Sequence, residues 1–304
     1  MITKTPFANY DAVELRTQNI SLVVVSGMGP RIASFRFLSG DNILYWDNSQ
    51  QKGSCHWKLM GGHRVWVARP GADESPETYL PDNEPCEVKI QEDSATIFSS
   101  IDPILQTRRG IAIKAISDNK IQVDHFLQNC GTRLYSASIW ALTCTLPGQN
   151  TQYALPLGDS SSWDTCTMVL FKKWDGHGNT EGFGDPQFSI KEDMFLVHPK
   201  GMENKRMIQS HKGIMAMSDP CRNFTFIKKF DYCSKFDYPL GCNSAIYIGP
   251  KNFMVEMETM GGESTLKPGE ILNHRETWLL LPSSVDLGNS KILLSIAKDN
   301  FGLN

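Results

Sequence analysis

Phe253-Met-Val-Glu-Met-Glu-Thr-Met260 is followed by Leu266-Lys-Pro-Gly-Glu270 and then by His274-Arg-Glu-Thr-Trp278. In the first segment Phe253, Val255 and Met257 alternate with Met254, Glu256 and Glu258, the period of a β-strand. One face of that strand is apolar, and the other carries two carboxylates two residues apart. Leu-Lys-Pro-Gly-Glu reads as a turn, with Pro268 presetting the first corner and Gly269 free to take positive φ. Thr277 to Leu281 then runs as a last apolar strand.

Upstream the same texture repeats. Strands are expected at Ser21–Ser26, Arg31–Phe37, Cys86–Ile90, Ser94–Ser99, Gly110–Ile116, Lys120–Asn129, Leu134–Leu146 and Thr165–Phe171. Further ones are expected at Gly213–Asp219, Phe224–Phe230, Ala245–Ile248 and Met254–Glu258, with turn signals such as Asp118-Asn119, Pro147-Gly148 and Gly261-Gly262 between them. Helix candidates are few, the best being Lys291–Asp299. Short strands spaced by turn residues predict an all-β antiparallel sandwich. With no linker or internal repeat in view, a single domain over 1–304 is expected. The hydrophilic segment from Trp174 to Lys205, rich in glycine, reads as a long loop.

Composition narrows the function classes. Of 304 residues 40% are hydrophobic and 21% charged, ordinary for a chain with a sizeable core. The net charge of -3 lacks the basic surplus of a nucleic-acid binder. Neither a secretory h-region nor an apolar stretch of membrane-spanning length is visible. Eight cysteines without a C-x-x-C pair read as free thiols, which places the protein in the cytoplasm.

A second dense motif is Trp57-Lys-Leu-Met-Gly-Gly-His-Arg-Val-Trp66, followed by Tyr79-Leu-Pro-Asp-Asn83. Gly61-Gly62 permits a sharp turn or a close backbone approach. Arg64 and His63 offer directional donors, Trp57 and Trp66 flat apolar faces, and Tyr79, Asp82 and Asn83 further polar contacts. That mixture suits a sugar, whose C–H faces stack on indole while its hydroxyls need partners. A tight turn with a structural histidine and an Arg–carboxylate pair explains the residues equally well. His125 and His274 read as wall and turn residues. His56 and His63, seven apart with no third donor beside them, do not make a zinc site, so neither metal nor cofactor is expected.

The succession Glu-Thr, Leu-x-Pro-Gly-Glu, His-x-x-Thr-Trp resembles the C-terminal end of the galactose mutarotase-like superfamily. With Gly29-Pro-Arg-Ile32, Gly-Gly-His-Arg-x-Trp and Tyr-x-Pro-Asp-Asn-x-Pro85 added, the whole pattern is nearest to an uncharacterised bacterial family within it. The resemblance implies an antiparallel β-supersandwich and aldose or sugar-phosphate 1-epimerase chemistry at an anomeric carbon. Glu258 matches the base of the superfamily's Glu-Thr pair. The histidine that acts as acid in those enzymes has no counterpart in Asn129-Cys-Gly-Thr-Arg-Leu-Tyr-Ser-Ala-Ser-Ile-Trp-Ala-Leu-Thr143, where Trp140 or its neighbour takes its place. His63 is the substitute acid expected from the sequence, with Arg64, Trp57, Trp66, Tyr79, Asp82 and Asn83 contacting a small-molecule sugar. Strand alternation sets neighbours on opposite faces, so of His63 and Arg64 only one is expected in the groove, with Arg64 the stronger of the two. The competing expectation is a sugar-binding protein without catalysis; an accessory domain of a polysaccharide lyase or hydrolase is the third.

Overall fold

Alternating apolar and polar residues bury one face of each strand, and here two large sheets result. The computed structural model describes residues 1–47, 49, 58–68, 80–158, 165–171 and 184–303. The first sheet contains β1 (Ile2–Phe7), β2 (Tyr10–Arg16), β3 (Ile20–Val25), β4 (Arg31–Phe37), β5 (His63–Ala68) and β10 (Tyr135–Thr145). It continues through β19 (Val255–Met260), β18 (Ser244–Ile248) and β15 (Asn204–Ile208) to β12 (Met168–Leu170), while β20 (Ser264–Leu266) pairs with the start of β10.

The second sheet runs β13 (Phe188–Lys191), β14 (Met194–Val197), β11 (Gln152–Pro156), β16 (Ile214–Asp219) and β17 (Phe224–Phe230). It goes on through β21 (Ile271–Leu281), β9 (Lys120–Asn129), β8 (Thr107–Ser117) and β7 (Ser94–Phe98) to β6 (Glu87–Ile90). Every pairing in both sheets is antiparallel.

The main core lies between the sheets. Val65, Val67, Ile139, Val255 and Met257 from the first sheet pack with Ile111, Val123, Phe226, Trp278 and Leu280 from the second. These residues lose nearly all contact with water, and fully burying one such aliphatic or aromatic side chain is worth about 1.5–3 kcal/mol. The second sheet's other face is closed by α1 (Ser290–Phe301), whose Leu293 and Ala297 pack on Ala154, Ile214, Ala216, Ile227 and Leu279. Asn289 caps this helix by accepting from the Lys291 amide at 3.1 Å, and Gly302 ends it in a left-handed conformation.

The expected all-β fold and most of its strands are present, with edges shifted by a residue or a few. The long loop expected from Trp174 to Lys205 requires correction: its later part contains β13, β14 and the first two residues of β15. Hydrophilic composition misled there, because Asn204, Lys205 and Arg206 are charged or polar and yet buried. The earlier part of that segment, 174–183, lies outside the described residues.

Candidate functional site

Two glycines launch the first functional strand. Gly61 and Gly62 both have positive φ, and a Cβ on either would sit 2.4 Å from a backbone oxygen, that of Tyr45 or Ile32. The chain can therefore double back against β4 before it enters β5, a route closed to other residues.

From there strand alternation sorts the motif. On β5, His63, Val65 and Val67 point between the sheets, and Arg64, Trp66 and Ala68 point to the opposite, outer face. Antiparallel register extends this face sideways: Arg64 lies opposite Leu142, Leu142 opposite Glu258, and Glu258 opposite Ala245. One step along, Trp66 faces Trp140, which faces Met260. Three central strands thus present one polar and aromatic face.

Two charge clusters occupy it. Glu258 is fully buried; its Oε2 accepts from Trp140 Nε1 at 2.8 Å and lies 3.4 Å from Lys205 Nζ. Lys205 in turn sits 4.5 Å from the Trp140 ring centroid. Beside them Arg64 donates from Nη2 to Glu256 Oε1 at 2.8 Å and from Nη1 to Cys144 Sγ at 3.1 Å, with its guanidinium 4.3 Å from the Trp66 centroid. Burial opposes the charge on Arg64, but the Cys144 sulfur and the Glu256 carboxylate overcome it and hold the group above its ordinary value. Burial pushes the Cys144 thiol up to about 12, so it stays protonated. Asp82, on the 3-10 turn Leu80–Asn83, accepts from Trp66 Nε1 at 2.5 Å and from Arg31 Nη2 at 3.4 Å. The two indoles meet edge to face, 5.7 Å apart.

Next to Glu258 the face carries a shallow, partly open cleft, lined also by Trp140, Lys205, Ala68, Met207, Met260 and the Pro239–Leu240 turn. Between the two carboxylates of β19, Glu258 is the one that lines this cleft, while Glu256 is committed to Arg64 and Cys144.

The inward faces of the same strands hold a second polar cluster. Lys228 on β17 donates to Thr143 Oγ1 at 2.8 Å and to the Met257 carbonyl at 3.0 Å, and pairs with Glu276 at 2.8 Å. His63 Nδ1 is 2.8 Å from Thr143 Oγ1, and its Nε2 is 2.6 Å from His125 Nε2. His125 Nδ1 lies 2.9 Å from the His274 carbonyl. These contacts fix the protons. A carbonyl only accepts, so His125 carries its proton on Nδ1 and accepts at Nε2; His63 must then donate from Nε2 and accept from the Thr143 hydroxyl. Thr259 donates to Glu276 and so accepts from His274 Nε2 at 2.7 Å, and Trp278 Nε1 donates to Glu276 Oε2 at 2.6 Å.

This proton arrangement is that of three neutral histidines, the form that burial favours. Burial lowers each, His274 to about 3 and His63 well below its ordinary value. Burial would raise Glu276, yet the Lys228 ammonium at 2.8 Å holds it below the usual carboxylate range.

His63, His125 and Glu276 bring three ligand atoms within 4.8 Å of one another. As a metal centre this set is a poor fit. Both imidazole Nε2 atoms are spent on each other, and the Lys228 ammonium already neutralises Glu276.

The placement of His63 corrects its expected role as acid. It faces the core, fully buried and hydrogen-bonded to Thr143 and His125, on the strand face opposite Arg64. Glu258, Arg64, Trp66 and Asp82 share the outer face or its wall, and Asn83 follows Asp82 on the same turn, half-buried. Trp57 and Tyr79 lie outside the described residues. Lys205, Met207, Met260 and Leu240 were not singled out from the sequence. Met260 was readable in principle, two residues beyond Glu258 on the same face; Lys205 was hidden by the loop reading.

Two antiparallel sheets packed face to face form the galactose mutarotase-like β-sandwich. The molecule is similar to a galactose mutarotase-like protein from Lactobacillus casei, with a TM-score of 0.61 and 10% identity over 88% of this chain and 99% of that one. A Slr1438 protein from Synechocystis aligns with a TM-score of 0.60 and 12% identity over 92% of this chain and 99% of that one. A galactose mutarotase-like protein from Clostridium acetobutylicum gives 0.57 and 9% over 92% and 98%. No protein-family model matches the sequence, and no curated protein does. Likeness at this identity concerns the fold.

Proposed function

We propose that the outer-face cleft binds a sugar by its anomeric end and that the protein interconverts its anomers. The observation that carries this reading is the Glu258–Lys205 pair, a carboxylate and an ammonium 3.4 Å apart on the wall of an open cleft. Glu258 also holds the strand position that the superfamily resemblance assigns to the base. In a cyclic sugar the anomeric hydroxyl and the ring oxygen are bonded to one carbon, so an adjacent acid and base can serve both at once. Glu258 removes the hydroxyl proton, the bond from the anomeric carbon to the ring oxygen breaks, and that oxygen takes the proton from Lys205. The open-chain aldehyde turns about its first carbon–carbon bond and closes by the reverse steps, returning both protons. Trp140 Nε1–H steadies the carboxylate but has no proton to give. Trp140, on the cleft wall, supplies apolar surface for the sugar ring.

A second reading, sugar binding without turnover, is favoured by the lack of a histidine in Asn129–Thr143, where the resemblance would place the superfamily acid and where Trp140 or its neighbour stands. NMR exchange between the α and β anomers of a panel of hexoses, with and without protein, separates the two. Acceleration that Lys205→Gln abolishes establishes the enzyme. Calorimetric binding with no acceleration establishes the binding protein, and neither effect with any sugar overturns both.

A further inference from the structure

We infer that the cleft selects sugars whose carbon-5 substituent is apolar, 6-deoxyhexoses in particular; this rests on the anomeric end lying at Glu258 and Lys205. The ring oxygen is bonded to carbon 5 as well as to the anomeric carbon. Once Lys205 addresses that oxygen, the carbon-5 arm is the neighbouring group that must enter the adjoining wall. Among the described residues that wall is Ala68, Met207, Pro239, Leu240 and Met260, none of which carries a side-chain N–H or O–H. Among the described residues, the polar side-chain atoms facing the cleft belong to Glu258, Lys205 and Trp140, which bind one another. A hydroxymethyl group placed there loses its water partners and gains no equivalent, whereas a methyl group fits without that cost. A phosphate or carboxylate on the same arm would be set down in an apolar wall beside Glu258.

Leu240 points independently to the same occupant. It is 47% exposed and has φ 53°, ψ 25°, the left-handed region that glycine and asparagine adopt readily and leucine seldom does. Neither the backbone nor full burial calls for leucine at this corner. An apolar group at the mouth of the cleft does, if a methyl-bearing ligand packs against it.

The test compares matched pairs that differ in one hydroxyl: D-fucose with D-galactose, L-rhamnose with L-mannose, and 6-deoxy-D-glucose with D-glucose. Affinity is measured by calorimetry and anomer exchange by NMR. In at least one pair the deoxy sugar is expected to be favoured by about 10- to 100-fold, the range over which an apolar pocket discriminates against an added hydroxyl. Hexose 6-phosphates and hexuronates are expected to be weaker still. Leu240→Asn, compatible with the local backbone, should narrow the preference to less than about threefold, and Met260→Gln should do the same if it folds. Equal affinity within every pair, or preference for the hydroxylated partner, overturns the inference and leaves the anomeric reading standing. Absence of binding and exchange with every sugar overturns both.

Discussion

Two polar clusters lie back to back on β5, β10 and β19, and they differ in what remains for a ligand to do. Toward the core, His63, Thr143, Lys228 and Glu276 form a chain in which each proton has an assigned donor and acceptor. On the outer face, Arg64 and Cys144 are the immediate sequence neighbours of His63 and Thr143, and Glu258 and Lys205 line the cleft. Lys228 even donates to the carbonyl of Met257, the residue between the two outer carboxylates. A buried charge pair with complete hydrogen bonding specifies structure, whereas a charge pair beside a cleft can exchange partners with a ligand. A histidine is therefore not a catalyst because it is a histidine; the face it occupies decides.

Acid should expose the contrast most strongly. The three core histidines are neutral when folded, with values lowered by burial, and near 6.5 when unfolded. The unfolded chain then binds more protons as pH falls below about 6.5, so stability is fully present above that value and is lost toward the folded values, about 3 for His274. His274 alone costs about 2 kcal/mol between pH 7 and pH 5, and His63 and His125 act in the same direction, measurable by urea unfolding. A flat profile over that range would mean that the core chain protonates in place, and the comparison fails.

Glu258→Gln should reduce anomer exchange by about 10²- to 10⁴-fold while changing sugar affinity little, because it removes the base and keeps an oxygen acceptor. Full exchange in that variant removes Glu258 from the mechanism. In the core, Lys228→Met leaves Glu276 charged, buried and without its counter-ion, and should destabilise the fold by about 3–5 kcal/mol. Adding Glu276→Leu should restore part of this loss. A double variant no more stable than the single one would show that the network matters for its hydrogen bonds and not for its charge balance. The smallest effect is expected from Trp140→Phe, which deletes one indole N–H bond to Glu258 and should slow exchange by about tenfold with the acid profile unchanged. Unaltered exchange would show that the indole only fills space.

Much of this was legible in the residues. The strand over Lys120–Asn129 and that over Phe224–Phe230 are found as read, because clean alternation leaves a strand one way to bury its apolar face. Glu258, Arg64 and Trp66 stand on one face because the same alternation runs through β19 and β5, and Asp82 joins them through the Trp66 indole N–H. Lys205 was not legible: a lysine in a hydrophilic stretch reads as solvated surface, and only packing against Trp140 and Glu258 makes burial tolerable. His63 misled for the opposite reason. Its motif has the chemistry of a sugar site, and its nearest partners, Thr143 and His125, are 80 and 62 residues away in sequence.

What the sequence by itself determined is the all-β architecture, the placement of Glu256 and Glu258 on one strand face, and the opposite orientation of His63 and Arg64, since all three follow from a two-residue period along single strands. Tertiary structure alone decided which strands became neighbours. It thereby set Trp140 on Glu258, brought Lys205 to the same carboxylate from two strands away, and closed the three histidines into a neutral core chain. Register across a sheet and contact between sheets depend on the packing of the whole chain, and no local pattern encodes them.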